Sequence, residues 1–527
     1  MKPITVAVIG AGAAGYFAAA AIARNCKHAT VTVYSDPAIP SIGVGESIAW
    51  GAPDFMRDTL GLTNELEWMQ KAQSTYKFAA KLQGFTSQQD LPYYISYPYT
   101  GSAKMLERSP LGGYLDLICH NDEHSLYDVW MHLNKKKIRL NGESRGDMNE
   151  NHWFAFSNTC PVDSEGNFST LGSLGHSYHV DAGKIGPVVH ELVGKPHGVK
   201  TVESAVKQVK TDITGVKSLI LDSGEEISAD LYIDCTGFQR LLVKELDNKF
   251  VLCDEYFNNS AVVGMDFYKS KEDYTNVSSM TALPNGWCFN VPTHNRSGNG
   301  YIFNSRMSDS SEQLVDEFEN ITGRKNIIQR HITWEPGYYE HCMSGNCITL
   351  GISYGFSEAF DANGFSSTIA YIKRLIKHIN TDEQTAFDWR NDFNYYTNAI
   401  AEDIKFRIQC AMHLAPRNDS DYWQEMKVAS TKFNTLEKLK ENIHSDQRKK
   451  YLGFQNKMYS QQTFVSTALY YGIPLDVPDW NIDKRTEELA ANWFKFFNNR
   501  NRILAQTSPS MGDFYTSTIY KNLEFKK

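Results

Sequence analysis

The sequence predicts an α/β architecture: a Rossmann-type nucleotide-binding core, a β-rich lobe threaded into it, and a helical C-terminal part. Three observations carry this. The chain opens on a strand–turn–helix–strand pattern with Gly10, Gly12 and Gly15 at GxGxxG spacing. Its middle alternates apolar and polar residues between turn residues, as half-buried strands do. From about Ser366 onward the spacing becomes that of amphipathic, charge-rich helices.

The elements follow in order. "ITVAVIG" is a β-branched apolar run closed by glycine, the pattern of a buried strand over Ile4–Ile9. "AAGYFAAAAIARN" consists mostly of strong helix formers, and "ATVTVYSD" reads as the second strand. In this setting Gly10 makes the tight turn, Gly12 lets backbone amides approach a pyrophosphate, and Gly15 lets helix and strand pack closely. The helix N-terminus behind them favours an anion. The acid expected to meet a ribose at the end of the second strand falls at Ser35–Asp36, so it is displaced by one place or its contact is weakened. "SIGVGESI" follows at once, and its glycines suit a backbone that hugs a cofactor; an ordinary surface turn fits the pattern equally well.

"LPYYISYPYTG" (Leu91–Gly101) is aromatic and turn-rich. The stretch from Gly198 to Phe238 alternates strongly and reads as a small sheet ending in a buried strand, Leu231–Cys235. The segment from about Asn258 to Ser305 is again β-rich, and "STKFNTLEKLKENIHSDQRKKYL" lies in the helical part. With no repeat and no low-complexity linker, the chain is expected to fold as one interdigitated unit.

Composition excludes several classes. A chain of 527 residues, 42% hydrophobic and 13% aromatic, can bury a large core. With 53 basic and 61 acidic residues the net charge is −8, which lacks the basic footprint of a nucleic-acid binder. No apolar run is long enough to span a bilayer, and the N-terminal apolar stretch is broken by glycines, unlike a signal peptide. The nine cysteines are scattered without a CxxC, which suits a reduced, cytoplasmic compartment. Cys342 and Cys347 are the closest pair, and no second pair suggests zinc. "HSYHVD" (His176–Asp181) lacks a third ligand on one face and reads as structural, so no metal is expected.

Several segments together resemble one family. "GAGAAG", "GVGES", "YHVDAGKIG", "DLYIDCTGFQRLL", "GWCFNVP", "NCITLGISYGFSEAFDANGF" and "RNDSDYW" stand in the order found in flavin-dependent halogenases of the tryptophan-halogenase type, over roughly residues 4–480. The resemblance implies an FAD-binding core of the flavin monooxygenase kind over 1–385, carrying the β-rich substrate region, with a helical region over 386–527 packed on it. It implies reduced FAD supplied by a separate reductase, oxygen, and chloride, bromide or iodide. The halide becomes hypohalous acid, which halogenates an electron-rich aromatic such as an indole or phenol. A homo-oligomer is compatible with it; a nucleic acid or a membrane is not part of it.

The cofactor contacts implied are Gly10, Gly12, Ala13, Ala14, Gly15, Ser35, Asp36, Gly43, Val44, Gly45, Glu46, Ser47, Val206, Ile352 and Phe365. The family's W-x-W-x-I-P signature becomes Trp287-Cys288-Phe289-Asn290-Val291-Pro292, which keeps bulk where a wall would screen flavin from substrate. Tyr93, Ile95, Tyr97, Trp287 and Phe289 are the expected substrate pocket, with Ile95 where the family has a histidine. The family's lysine is matched to Lys81, with Lys77 as competitor on the same face if the segment is helical. Its E-P-L-E-S-T-G becomes Glu358 to Gly364, so its catalytic glutamate is matched by Asp361, one methylene shorter, and Glu358 joins the catalytic candidates. Its Thr-Gly halide site is matched by Asn363-Gly364, whose backbone amides need no particular side chain. Two alternatives stand beside this reading. A flavin-dependent hydroxylase would carry a Gly-Asp motif that "LGISYGFSEAF" lacks. A catalytically weakened flavin-binding protein would not need Lys81 and Asp361.

Overall fold

Strand β1 (Ile4–Ile9) is the centre of the molecule. It pairs in parallel with β2 (Ala29–Ser35) on one side and β12 (Leu231–Asp234) on the other. A computed structural model describes residues 1–39, 45–48, 51–87, 90–96, 150–162, 176–255, 258–307, 311–323, 327–381, 386–443, 457–459, 461–475 and 484–517. The six-stranded sheet runs β20 (Met343–Ser344), β21 (Cys347–Thr349), β12, β1, β2, β8 (Lys200–Glu203). Helix α1 (Ala13–Asn25) connects β1 to β2, and its alanine-rich face is buried. This is the predicted β-α-β unit. Small side chains let the helix lie close: a Cβ on Gly15 would fall 1.9 Å from the Gly10 carbonyl oxygen.

The β-rich lobe is a seven-stranded sheet: β18 (Ile327–Thr333), β14 (Ser260–Phe267), β17 (Arg296–Phe303), β16 (Gly286–Pro292), β15 (Val277–Leu283), β5 (Ala79–Gln83), β6 (Tyr93–Ser96). All its pairs are antiparallel except β15 with β5. Two strands from the first hundred residues thus complete a sheet made mainly from the segment expected to be β-rich.

Three small sheets complete the strands. One is the small sheet expected in this region, made of β9 (Val206–Asp212), β10 (Gly215–Leu221) and β11 (Glu226–Ile227); the buried strand expected to end it is β12, which pairs with β1 in the six-stranded sheet instead. A second joins β13 (Phe250–Leu252), β19 (Gly337–Tyr339) and β22 (Gly355–Phe356). The third joins β3 (Gly45–Ser47), β7 (Ser177–Asp181) and β4 (Thr75–Lys77), with β7 in the middle. Gly45 lets this sheet approach the large one, since a Cβ there would sit 3.2 Å from the Val291 carbonyl oxygen.

Helix α2 (Asn363–Ile379) packs on α1, with Phe365 edge-on to Phe17 at 4.9 Å. Helix α3 (Ala386–His413) packs on α2, and further helices over Asp421–Lys432, Thr435–Ile443, Gln461–Tyr470 and Lys484–Thr507 follow it. One apolar cluster runs from α1 through the lobe to these helices. Among the described residues, no helix is long and apolar enough to cross a membrane, and no group of His, Cys, Asp and Glu could hold a metal. Eight of the cysteines are free thiols, Cys342 and Cys347 among them.

Candidate active site

The nucleotide-binding end is built by backbone. Gly10 has φ +107°, and a Cβ there would strike the Cys235 carbonyl oxygen at 2.4 Å. Gly12 is the N-cap of α1, no side chain caps the helix, and a Cβ on Gly12 would meet nothing within 4 Å. Open space over uncapped amides at a helix N-terminus fits the pyrophosphate of a dinucleotide. Ala14 faces the turn holding Ile352, because the Cβ position of Gly351 lies 3.1 Å from the Ala14 Cβ. Asp36 Oδ1 accepts the amide of Ala38, so this acid closes its own turn beyond Ser35. Val206 packs with the small cluster that contains Tyr34, on the far side of β2's end. Phe365 is a packing contact between two helices. Gly43 and Val44 lie outside the described residues. Burial pushes the Glu46 carboxyl up to about 7.

The "GFSEAFDANGF" segment breaks from its β22 strand into a tight turn and then into α2. Asp361 and Ala362 both take left-handed backbone, with φ +60° and +57°. An Asn-Gly pair commonly marks a turn, but Asn363 and Gly364 are the first two residues of α2, which has no side-chain cap. Asn363 is buried: its amide donates to the Phe360 carbonyl, and the Tyr459 hydroxyl donates to its Oδ1. Asp361 Oδ2 accepts Arg407 Nε at 2.6 Å, and Arg407 is fully buried. Arg407 Nη1 donates to Thr467 Oγ1 at 2.7 Å.

Glu358 faces elsewhere. Trp287 Nε1 and Asn258 Nδ2 both donate to its Oε1, and burial raises its carboxyl to about 7 against these bonds. A carboxyl spent on an indole and an amide inside the core is a clamp, which does not suit the catalytic role expected of it. Trp287 is fully buried and edge-on to Phe360 at 5.4 Å. Phe289, two residues along the same strand face, is half-buried.

The two lysines part company. They stand on separate strands, not on one helical face. Lys81 on β5 is half-buried, opposite Tyr94 and Ser279. Lys77 on β4 is 3% exposed and donates to Ser47 Oγ at 2.6 Å. Burial pulls its ammonium down to about 8, and the negative charge of Asp361 opposes the fall. The charge of Asp361 thus acts on the buried Lys77, while Lys81 stands half-buried on the neighbouring sheet.

The expected substrate residues divide as well. Tyr93 is 6% exposed, stacks on Tyr470 at 4.4 Å and donates its hydroxyl to the Ser466 carbonyl at 2.6 Å, so it is a core residue rather than a pocket wall. Ile95 is half-buried against the core, and Tyr97 lies outside the described residues.

Sequence reasoning missed Arg407 and Tyr459. Arg407 had a signal: it continues the buried stripe of Ile400 and Ile404 along α3, where a charge requires a partner. Tyr459 had none.

The model of the family described as tryptophan halogenase matches residues 5–484. A tryptophan 7-halogenase of Lentzea aerocolonigenes, RebH, is 25% identical over 97% of both chains. A tryptophan 6-halogenase of Streptomyces albogriseolus, ThaL, is 26% identical over 81% of this chain and 80% of its own. The crystal structure of the tryptophan 6-halogenase SttH from Streptomyces toxytricini superposes with a TM-score of 0.81 at 22% identity, covering 98% of this chain and 100% of that one.

Proposed function

The chain belongs to the tryptophan halogenase family, and on that premise we propose that Lys77, not Lys81, works with Asp361 in halogenation. The protein is a flavin-dependent halogenase acting on an aromatic substrate. Reduced FAD, when bound along Gly10, Gly12 and Gly15, supplies with oxygen the oxidising equivalents that turn halide into hypohalous acid. The flavin comes from a separate reductase. The uncapped amides of Asn363 and Gly364 at the start of α2 are the halide contacts, because a helix N-terminus favours an anion whatever the side chain.

The observation that carries the reading is a fully enclosed lysine whose burial is opposed by one carboxylate. A charged Lys77 donates a strong hydrogen bond to hypohalous acid and polarises its halogen. Asp361 takes the proton that the aromatic ring loses on substitution. Arg407 donates to that carboxylate and fixes its direction. Glu358 is a positioning residue, acting through Trp287. The substrate is an electron-rich indole- or phenol-like ring. The core over 1–385 carries Lys77 and Asp361, and the helical region over 386–527 supplies Arg407 and Tyr459. Buried free thiols suit a cytoplasmic location.

The test supplies reduced flavin through a reductase, oxygen, mixed halides and a panel of indoles and phenols, with mass spectrometry as readout. Halogenated product is expected, and exclusively hydroxylated product would reject the reaction. Lys77→Ala is expected to lose product while still binding flavin, and Lys81→Ala to keep halogenating. The reverse outcome would move the role to Lys81.

A further inference from the structure

A chain of buried hydroxyls and one imidazole leaves Lys77 on β4, crosses to β3 and the large sheet, and returns through β7 to Thr75 on β4, and each link is within hydrogen-bond distance. Lys77 Nζ meets Ser47 Oγ at 2.6 Å, Ser47 Oγ meets Ser278 Oγ at 2.8 Å, and Ser278 Oγ meets His179 Nε2 at 3.1 Å. On its other side His179 Nδ1 meets Thr75 Oγ1 at 3.1 Å, and Thr75 Oγ1 donates to the Pro292 carbonyl at 2.8 Å. All five side chains are buried. Strand register explains the assembly. Ser47 and Thr75 are the direct cross-strand neighbours of His179 on β3 and β4, and Lys77 is two residues beyond Thr75 on the same face. Ser278 enters from β15 of the large sheet.

The directions of these bonds follow from donor and acceptor counts alone. A carbonyl only accepts, so the single proton of Thr75 is committed to Pro292. Thr75 Oγ1 must then accept, which places a proton on His179 Nδ1 and leaves Nε2 as a bare acceptor. Ser278 therefore donates to His179, Ser47 donates to Ser278, and Ser47 has only lone pairs left for Lys77. Every proton and every acceptor along the line is matched. A protonated His179 would reverse it: Ser278 would turn its proton to Ser47, and the Ser47 proton would have no acceptor but the lysine nitrogen.

We infer that neutral His179, through Ser278 and Ser47, is a positioning relay that holds an acceptor on Lys77 and so favours its charged form. The inference takes Lys77 as the working lysine, as read above, and assigns His179 and Ser278 roles in setting that lysine's state. Among the described residues, the charged or titratable groups facing Lys77 include His179 from its own sheet and Asp361 from the turn before α2, itself paired with Arg407. Burial and the charge of Lys77 both hold His179 well below its ordinary value, which keeps it neutral as the bond directions require.

The test reads Lys77 directly, without turnover. The full-length protein is labelled with carbon-13 at lysine Cε, and the Lys77 signal is identified by its loss in Lys77→Arg. Its titration midpoint is expected near 8 in the parent protein. Ser47→Ala removes the acceptor, Ser278→Ala frees the Ser47 proton to turn toward the amine, and His179→Phe frees the Ser278 proton to start the same reversal. Each is expected to lower the midpoint, by about one pH unit for the serine variants, the worth of one hydrogen bond to a charged group. Ser278→Thr restores a hydroxyl and is expected to restore the midpoint. His176→Phe, on the opposite face of the same strand, is expected to leave it in place. An unchanged midpoint in Ser278→Ala and in both His179→Phe and His179→Gln, with Ser47→Ala still shifted, overturns the relay. If the shifts appear but Lys77→Ala still halogenates, the relay stands and the catalytic role of Lys77 falls.

Discussion

Lys77 and Lys81 show how much a single position decides. Both are lysines in a short apolar stretch, yet Lys77 is enclosed, with the charge of Asp361 acting on it, and Lys81 is half-buried. Because the folded pKa of Lys77, about 8, lies below lysine's ordinary 10.5, the ammonium is present below about 8 and is lost above it. Halogenation that needs the ammonium is therefore expected to fall as pH rises through that value, seen in initial rates at saturating reduced flavin. The sign reverses for Glu358. Its folded pKa, about 7, lies above the ordinary 4.5, so its contribution to stability is present below about 4.5 and lost as pH rises toward and past 7. Glu358→Gln keeps the shape and the acceptor for Trp287, and is expected to remove about 2–3 kcal/mol of the stability loss between acid and mildly alkaline pH. Denaturant unfolding of both proteins at two pH values reads this; equal pH dependence would show that Glu358 is not the titrating group. The sequence placed an acid at 358 and at 361, but only surroundings told them apart: Trp287 and Asn258 hold Glu358, and Arg407 holds Asp361.

At the scale of elements, the turn into α2 is the costly piece. Two consecutive non-glycine residues in left-handed backbone each cost on the order of 1–3 kcal/mol, and the surrounding contacts of Asp361 and Asn363 must hold them there. Ala362→Val adds a branch that this backbone disfavours, and a stability loss of about 2 kcal/mol with a larger fall in kcat is expected. Unfolding and steady-state rates measured together would separate the two; a stability loss with unchanged kcat would show that the turn does not aim Asp361. The β1–α1 turn makes a different demand. A methyl group on Gly15 would overlap the Gly10 carbonyl, so Gly15→Ala is expected to abolish flavin binding, measured by fluorescence titration. This element was legible in the sequence because its geometry is local: the glycine spacing, the strand before it and the helix after it lie within one run of chain. The turn at 361–364 was read less well. Asn-Gly signals a turn only when the chain is free to make one, and here packing against Tyr459 and α1 starts a helix instead.

For the molecule as a whole, the C-terminal helices complete a site that the core begins. Arg407 sits on α3, Asp361 just before α2, and Lys77 on a small sheet packed against the seven-stranded one. Arg407→Met removes the buried partner of the Asp361 carboxylate, and a loss of about 3 kcal/mol is expected in denaturant unfolding. Arg407→Lys keeps the charge without the forked geometry and is expected to recover part of it. Equal stability of Arg407→Met and the parent would show that the pair with Asp361 does not hold α3 to the turn. The sequence by itself determined the β-α-β core, the family, the β-rich lobe and the position of Asp361 before a helix, because these depend on local spacing and on motif order along the chain. Only the tertiary structure decided which lysine is buried, what Glu358 holds, and that His179 and Ser278 connect to Lys77 and Arg407 to Asp361. Those facts depend on strand register and burial between residues as far apart as Ser47 and Ser278, 231 positions along the chain. Burial of a charge is settled by what surrounds it in space, and no local pattern contains that information.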